Sequence, residues 1–248
     1  MPGSLNSVQG WVTIDGQTAS PGPIRQEALR TGQKITTRRH ANAELLLTPG
    51  SFLRIGNRSS VQMISRSLGN ATVRLVRGSA LLDANANFKH ELAVDMDGTR
   101  TRIEKKGLYR FNANQQTIAV LRGRANVYES DSRVVLKGKR ELYISGGSPM
   151  QVRKLNVRAF KSSSLYQWSG VRNRYEADAR KSVRESIAQS GRWYGPGWYW
   201  SRFWGTYAYV PSASAYIGPY YASPYYGAWG GNDWGGGWGW GGWGDDDD

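Results

Sequence analysis

The chain predicts an all-β domain, solenoid-like or a sandwich or roll, followed by one long helix and an aromatic, glycine-rich, partly disordered tail. Three observations predict it: short β-prone runs punctuated by turn residues as far as about residue 145, a single helical stripe between residues 162 and 190, and an abrupt change of composition near Gly191. The organisation that follows is a disordered start over 1–7, a β domain over 8–148, a linker and helix over 149–190, an aromatic segment over 191–215 and a low-complexity tail with an acidic end over 216–248.

The β domain announces itself through turns and alternation. "AELLLTPGSFLRI" sets two apolar runs around Pro49-Gly50, a dipeptide that presets one φ and accepts a positive one, which is a hairpin or tight-corner signature. In "GTRTRIEKKGLYRFNAN", Thr99, Thr101 and Ile103 alternate with Arg100, Arg102 and Glu104, and after Gly107 Tyr109 and Phe111 alternate with Arg110 and Asn112, so these strands are expected half buried and half wet. A weak repeat runs through "VRLVRGSALLDA", "IAVLRGRANVYE" and "VVLKGKRELYIS": strand, glycine corner at Gly78, Gly123 or Gly138, second strand.

From Ser162 the period changes to that of a helix. Ser162 to Ser164 are candidate N-caps, and Leu165, Trp168, Val171, Tyr175, Ala179, Val183 and Ile187 trace one stripe ending before Gly191, which predicts a helix of about 25 residues with that stripe turned inward.

Charge and composition narrow the function classes. The net charge of +14 is concentrated in the body: of 33 basic and 19 acidic residues, two basic and five acidic lie after residue 190, so residues 1–190 carry +17. The absence of cysteine excludes disulfides and thiolate metal sites, and two histidines exclude a histidine-rich centre, so no cofactor or metal is expected. No apolar run is long enough for a transmembrane helix. The start "MPGSLN", followed at once by a strand-like segment, predicts a chain that begins after a removed leader.

Catalytic constellations do not emerge. The nucleophile-elbow, P-loop, zincin and dinucleotide patterns are missing. Asp95 and Asp97 fall in "DMDG", a turn sequence, and His40 and His90 are solvated loop residues without an orienting partner. Arg54, Arg58, Arg66, Arg74, Arg77, Arg100, Arg102, Arg110, Arg122 and Arg124 fall mostly in the polar phase of strands, where they solubilise a sheet or attract anions. Nucleic acid is not an expected partner, because no RNA- or DNA-binding pattern accompanies the charge.

The segments "GWVTIDG", "GQKITTRRHANAELLLTPGSFLRI", "NRSSVQM", "VRLVRGSALLDA", "KKGLYRFNAN" and "IAVLRGRANVY", in that order over roughly residues 8–145, resemble the FecR-like domain of bacterial extracytoplasmic regulators, in particular the stand-alone secreted versions. The resemblance implies a periplasmic or secreted, non-enzymatic module for binding or signalling. The sigma-factor-controlling segment and membrane-spanning helix of the iron-uptake regulators have no counterpart in these residues, so only the sensing or binding half of the family role carries over. The resemblance transfers no catalytic residues.

The stretch "GRWYGPGWYWSRFWGTYAYVP" holds four tryptophans, four tyrosines and a phenylalanine. Trp193, Trp198, Trp200, Trp204, Tyr207 and Tyr209 are the candidate binding surface, because exposed aromatic faces stack on sugars, attract cations and seat partner proteins. The expected partner is an envelope protein or polysaccharide. The alternative is a carbohydrate-binding or matrix-forming protein that self-associates through its tail, and a hydrolase is the third reading.

Overall fold

A computed structural model describes residues 2–19, 28–48, 50–67, 69–85, 91–144, 150–190, 197–201 and 206–210; for 186–190 and, Tyr199 apart, for the last two segments it describes the backbone alone. In chain order the strands are β1 (Ser4–Gln9), β2 (Val12–Ile14), β3 (Gln17–Thr18), β4 (Lys34–Thr37), β5 (Asn42–Thr48), β6 (Ser51–Ile55), β7 (Ser60–Ser67), β8 (Asn70–Arg77), β9 (Ser79–Ala84), β10 (Glu91–Met96), β11 (Thr99–Ile103) and β12 (Gly107–Asn112). They continue as β13 (Thr117–Arg122), β14 (Arg124–Glu129), β15 (Ser132–Lys137), β16 (Arg140–Tyr143) and β17 (Gln151–Lys154), followed by helices α1 (Val157–Lys161) and α2 (Ser164–Ser190) and the hairpin β18 (Gly197–Ser201) with β19 (Thr206–Val210).

Two open sheets enclose one core. The eight-stranded sheet runs β1-β5-β6-β9-β12-β13-β16-β17 and the nine-stranded sheet β15-β14-β11-β10-β8-β7-β4-β2-β3. Leu45, Leu53, Leu82, Phe111 and Val120 from the first meet Ile35, Val61, Val73, Val94 and Val127 from the second in a single buried cluster, so the arrangement is a sandwich.

The glycine corners are where the chain changes sheets. Gly78 leads from β8 in the nine-stranded sheet to β9 in the eight-stranded one, Gly123 leads back from β13 to β14, and Gly138 leads from β15 to β16. Gly123 has φ 103°, and a Cβ there would strike the Tyr109 side chain. That hydroxyl donates to the Lys105 carbonyl and accepts the Arg124 N–H at 3.0 Å, pinning the corner. Only glycine satisfies both the backbone and the space.

Other local readings hold in detail. β5 and β6 pair as a hairpin with Thr48 opposite Ser51, and Gly50 has φ 79°. Asp97 and Gly98 both have positive φ, the two-residue turn that matches strand twist, joining β10 to β11. In β11, Thr99, Thr101 and Ile103 are buried while Arg100 and Arg102 are exposed. Ser163 caps α2, its hydroxyl accepting the Tyr166 N–H at 3.4 Å.

Three expectations are corrected. Residues 4–7 are not a loose start: they form most of β1, with Ser4, Leu5 and Asn6 buried and the strand paired to β5, because this edge supplies Leu5 to the core. The β domain runs past residue 148 to β17, which pairs with β16. The eight-stranded sheet is not wet on its second face: β5 and β6 are buried at nearly every position, because α1 and α2 cover it.

Candidate functional site

The outer face of the eight-stranded sheet is sealed in two halves by different chemistry. Under α1 and the first turn of α2 the seal is apolar: Leu81, Leu108, Ala119 and Leu121 from the sheet meet Leu155, Phe160, Leu165 and Tyr166. Phe160 packs edge-on against Tyr166 with centroids 5.8 Å apart, and Arg110 lies over its ring at 4.6 Å while pairing with Glu141 at 3.1 Å.

Further along α2 the seal is ionic. The hairpin register sets Glu44 of β5 opposite Arg54 of β6, and both are buried completely or nearly so. The Arg54 Nε donates to Glu44 Oε2 at 2.6 Å, and Nη1 donates to Asp83 at 3.2 Å and to the Ser169 hydroxyl at 2.6 Å, while Nη2 donates to Asn173 Oδ1. From the helix Arg172 reaches back to Glu44 Oε1 at 3.0 Å, where Asn6 of β1 also donates at 2.6 Å. One helical turn on, Arg180 pairs with Glu176 at 2.7 Å. Four strands and one helix thus share one buried network.

Electrostatics within it are unequal. Burial raises the Glu44 carboxyl, but the charges of Arg172 and Arg54 and the hydrogen bonds they donate outweigh it and bring the carboxyl down to about 2. Asp83 and Glu176 go the other way: burial raises both, with Arg54 opposing it at Asp83 and Arg180 at Glu176. Such a network is held by complementarity. Removing one charge of a buried pair costs about 3–5 kcal/mol, whereas its net contribution to stability is small. Three carboxylates are present, yet guanidinium groups lie among them, and among the described residues no three histidine, aspartate or glutamate side chains gather as metal ligands.

The helix is therefore rotated from its expected setting. Leu165, Ala179 and Val183 are buried as the stripe requires, but Val171 and Tyr175 are 43 % exposed, while Ser169, Arg172, Asn173 and Glu176 face the sheet. The sheet presents Arg54, Glu44 and Asp83 at that point, and a polar helix face satisfies them where an apolar one would strand them. Arg54, expected to solubilise a wet face, is fully buried. A signal for the network does exist in the sequence: opposite charges flanking the proline–glycine hairpin, and Ser169, Arg172, Asn173, Glu176 and Arg180 at helical spacing.

This helix carries the aromatic hairpin. β18 and β19 both pack against α2, and β19 also approaches β1. The antiparallel register sets Trp198 opposite Tyr209 and Trp200 opposite Tyr207, so four of the six expected binding residues occupy matched positions on one two-stranded ribbon. Trp193 and Trp204 lie outside the described residues, as do His90 and the tail from 211. His40 is an exposed turn residue with φ 57°. Asp95, on β10, is raised by burial against the opposing charges of Arg100 and Arg74, and Asp97 belongs to the turn.

Residues 33–139 match the family described as FecR protein. The match runs from just before β4 to the turn that precedes β16, and it supports a signalling or regulatory module. Two solved structures of a candidate anti-sigma factor from Parabacteroides distasonis ATCC 8503 are similar to the chain at 12% identity. One covers 51% of this chain and 63% of its own length with a TM-score of 0.45; the other covers 73% and 99% with a TM-score of 0.46. The chain thus spans less than two thirds of the first. None of the curated proteins matches it. Among the described residues no helix is long and apolar enough to cross a membrane.

Proposed function

We propose that this protein is a non-enzymatic, extracytoplasmic binding or signalling module of the FecR type, in which the aromatic hairpin contacts a partner protein of the cell envelope. The observation that carries the reading is the placement of the hairpin: Trp198, Trp200, Tyr207 and Tyr209 share matched register positions on a ribbon that packs on α2, and α2 is clamped to the sandwich by buried charges. A helix so anchored offers a rigid mount, and aromatic residues on a rigid mount bind with little ordering cost.

The test replaces Trp198, Trp200 and Trp204 together with alanine and compares melting temperature with capture of a partner from envelope extract. Loss of capture with an unchanged midpoint supports the proposal. Capture retained by a chain lacking residues 191–248 contradicts it. Concentration-dependent sedimentation abolished by the same truncation favours the self-associating alternative.

A further inference from the structure

Among the described residues α1 and α2 pack on the eight-stranded sheet, and the nine-stranded sheet turns a charged outer face to solvent. Its register carries one row of residues across seven strands: Lys34 of β4 stands opposite Gln62, which stands opposite Arg74, followed by Asp95, Arg100, Tyr128 and finally Arg133 of β15. Cations occupy every second strand. Neighbouring strands lie about 4.8 Å apart, so successive cations in the row are about 10 Å apart. Lys34, Arg74, Arg100 and Arg133 are all exposed.

What lies between the cations is equally specific. Gln62 and Asp95 offer hydrogen-bonding groups, and Tyr128 offers a ring over which Arg133 sits at 6.0 Å. Arg74, Asp95 and Arg100 line a depression of about 480 Å³ beside the Asp97–Gly98 turn. Carboxylates are part of the face: Glu91 pairs with Arg100 at 2.8 Å, and Glu104 lies 3.6 Å from Arg102.

We propose that this face binds an acidic polysaccharide carrying one carboxylate per two-sugar unit, each carboxylate meeting one cation of the row while the intervening hydroxyls meet Gln62 and Asp95 and a ring lies on Tyr128. Two linked pyranose rings in an extended chain are comparable in length with the cation spacing, so one carboxylate per two sugars keeps pace with the row. The competing polyanions fit less well. A nucleic-acid strand carries a charge about every 3.4 Å, far denser than the row, and it would meet the Asp95 carboxylate repulsively. Strands twist by about 20–25° from one to the next, so seven of them turn the row away from any flat lipid surface, whereas a flexible polymer follows it.

The experiment measures binding of the full chain to hyaluronan, with neutral dextran, phosphatidylglycerol vesicles and single-stranded DNA as the other arms. Expected are salt-sensitive binding to hyaluronan, none to dextran, and affinity lowered about tenfold in an Arg74→Gln/Arg133→Gln variant by loss of two charge-assisted contacts. Both side chains are exposed, and a Lys34→Gln/Arg74→Gln variant serves as a second reading should the first lose its fold. The alanine variant at Trp198, Trp200 and Trp204 should bind hyaluronan as wild type does, which separates this face from the hairpin. Undiminished binding by both charge variants, or tighter binding to vesicles or DNA than to hyaluronan, would overturn the proposal.

Discussion

The two halves of the seal between the eight-stranded sheet and its helices do the same structural job by opposite means. At one end Phe160, Leu165 and Tyr166 exclude water from Leu81, Leu108 and Leu121. At the other, Ser169, Arg172 and Asn173 bring hydrogen bonds and charge to Glu44 and Arg54. An apolar contact tolerates a sliding helix, because dispersion and hydrophobic burial are non-directional. The ionic half does not: a guanidinium bonded to a glutamate, an aspartate, a serine and an asparagine defines one rotation and one register for α2. The apolar half contributes adhesion and the ionic half contributes position, which matters for a helix that carries a hairpin.

The largest effect is expected from breaking the ionic half at its centre. Arg54→Met leaves Glu44 and Asp83 buried without their shared counter-charge and should cost about 3–5 kcal/mol, measured by denaturant unfolding. Next is Phe160→Ala, which opens the apolar half and should cost about 3 kcal/mol through lost burial and a cavity. The two variants should then part company in acid. Glu44 has a folded-state value near 2, below its ordinary 4.5, so the stability it contributes is complete above about pH 4.5 and is lost as pH falls towards 2. Asp83 and Glu176 are raised, so their protonation in mild acid relieves a burial cost and works in the opposite direction. Phe160→Ala should therefore keep the wild-type acid profile below pH 4.5, while the deficit of Arg54→Met shrinks there, because its Glu44 keeps Arg172 but has lost one of the two guanidinium groups that favour ionisation. The smallest effect belongs to Val171→Ser and Tyr175→Ser, exposed despite their place in the apolar stripe, and each should change stability by no more than about 0.5 kcal/mol.

Most of the sandwich was legible because it is written in local rules. The proline–glycine hairpin, the aspartate–glycine turn, the alternation of β11 and the glycine corners each depend on backbone conformation or a period of two within a few residues. β1 was not legible, since its strand character comes from pairing with β5, nearly 40 residues away, rather than from its own composition. The rotation of α2 was missed for a related reason. Hydrophobic periodicity assumes that the buried face is the apolar one, and here the face opposite was set by charges on β5, β6 and β9 that no local window contains. Of the candidate site, the aromatic residues were visible by composition, whereas the helix clamp that mounts them required the tertiary register of Glu44 against Arg54.

Hydrogen exchange of the full chain in wild type and in Arg54→Met tests the clamp most directly. If the charge network positions α2, amides of 172–183 in the wild type should exchange as slowly as those of β9 and β12, and in the variant they should exchange many times faster while the strands keep their protection. Equal protection of α2 in both proteins would contradict the account, and would mean that the apolar half alone holds the helix that carries the aromatic hairpin.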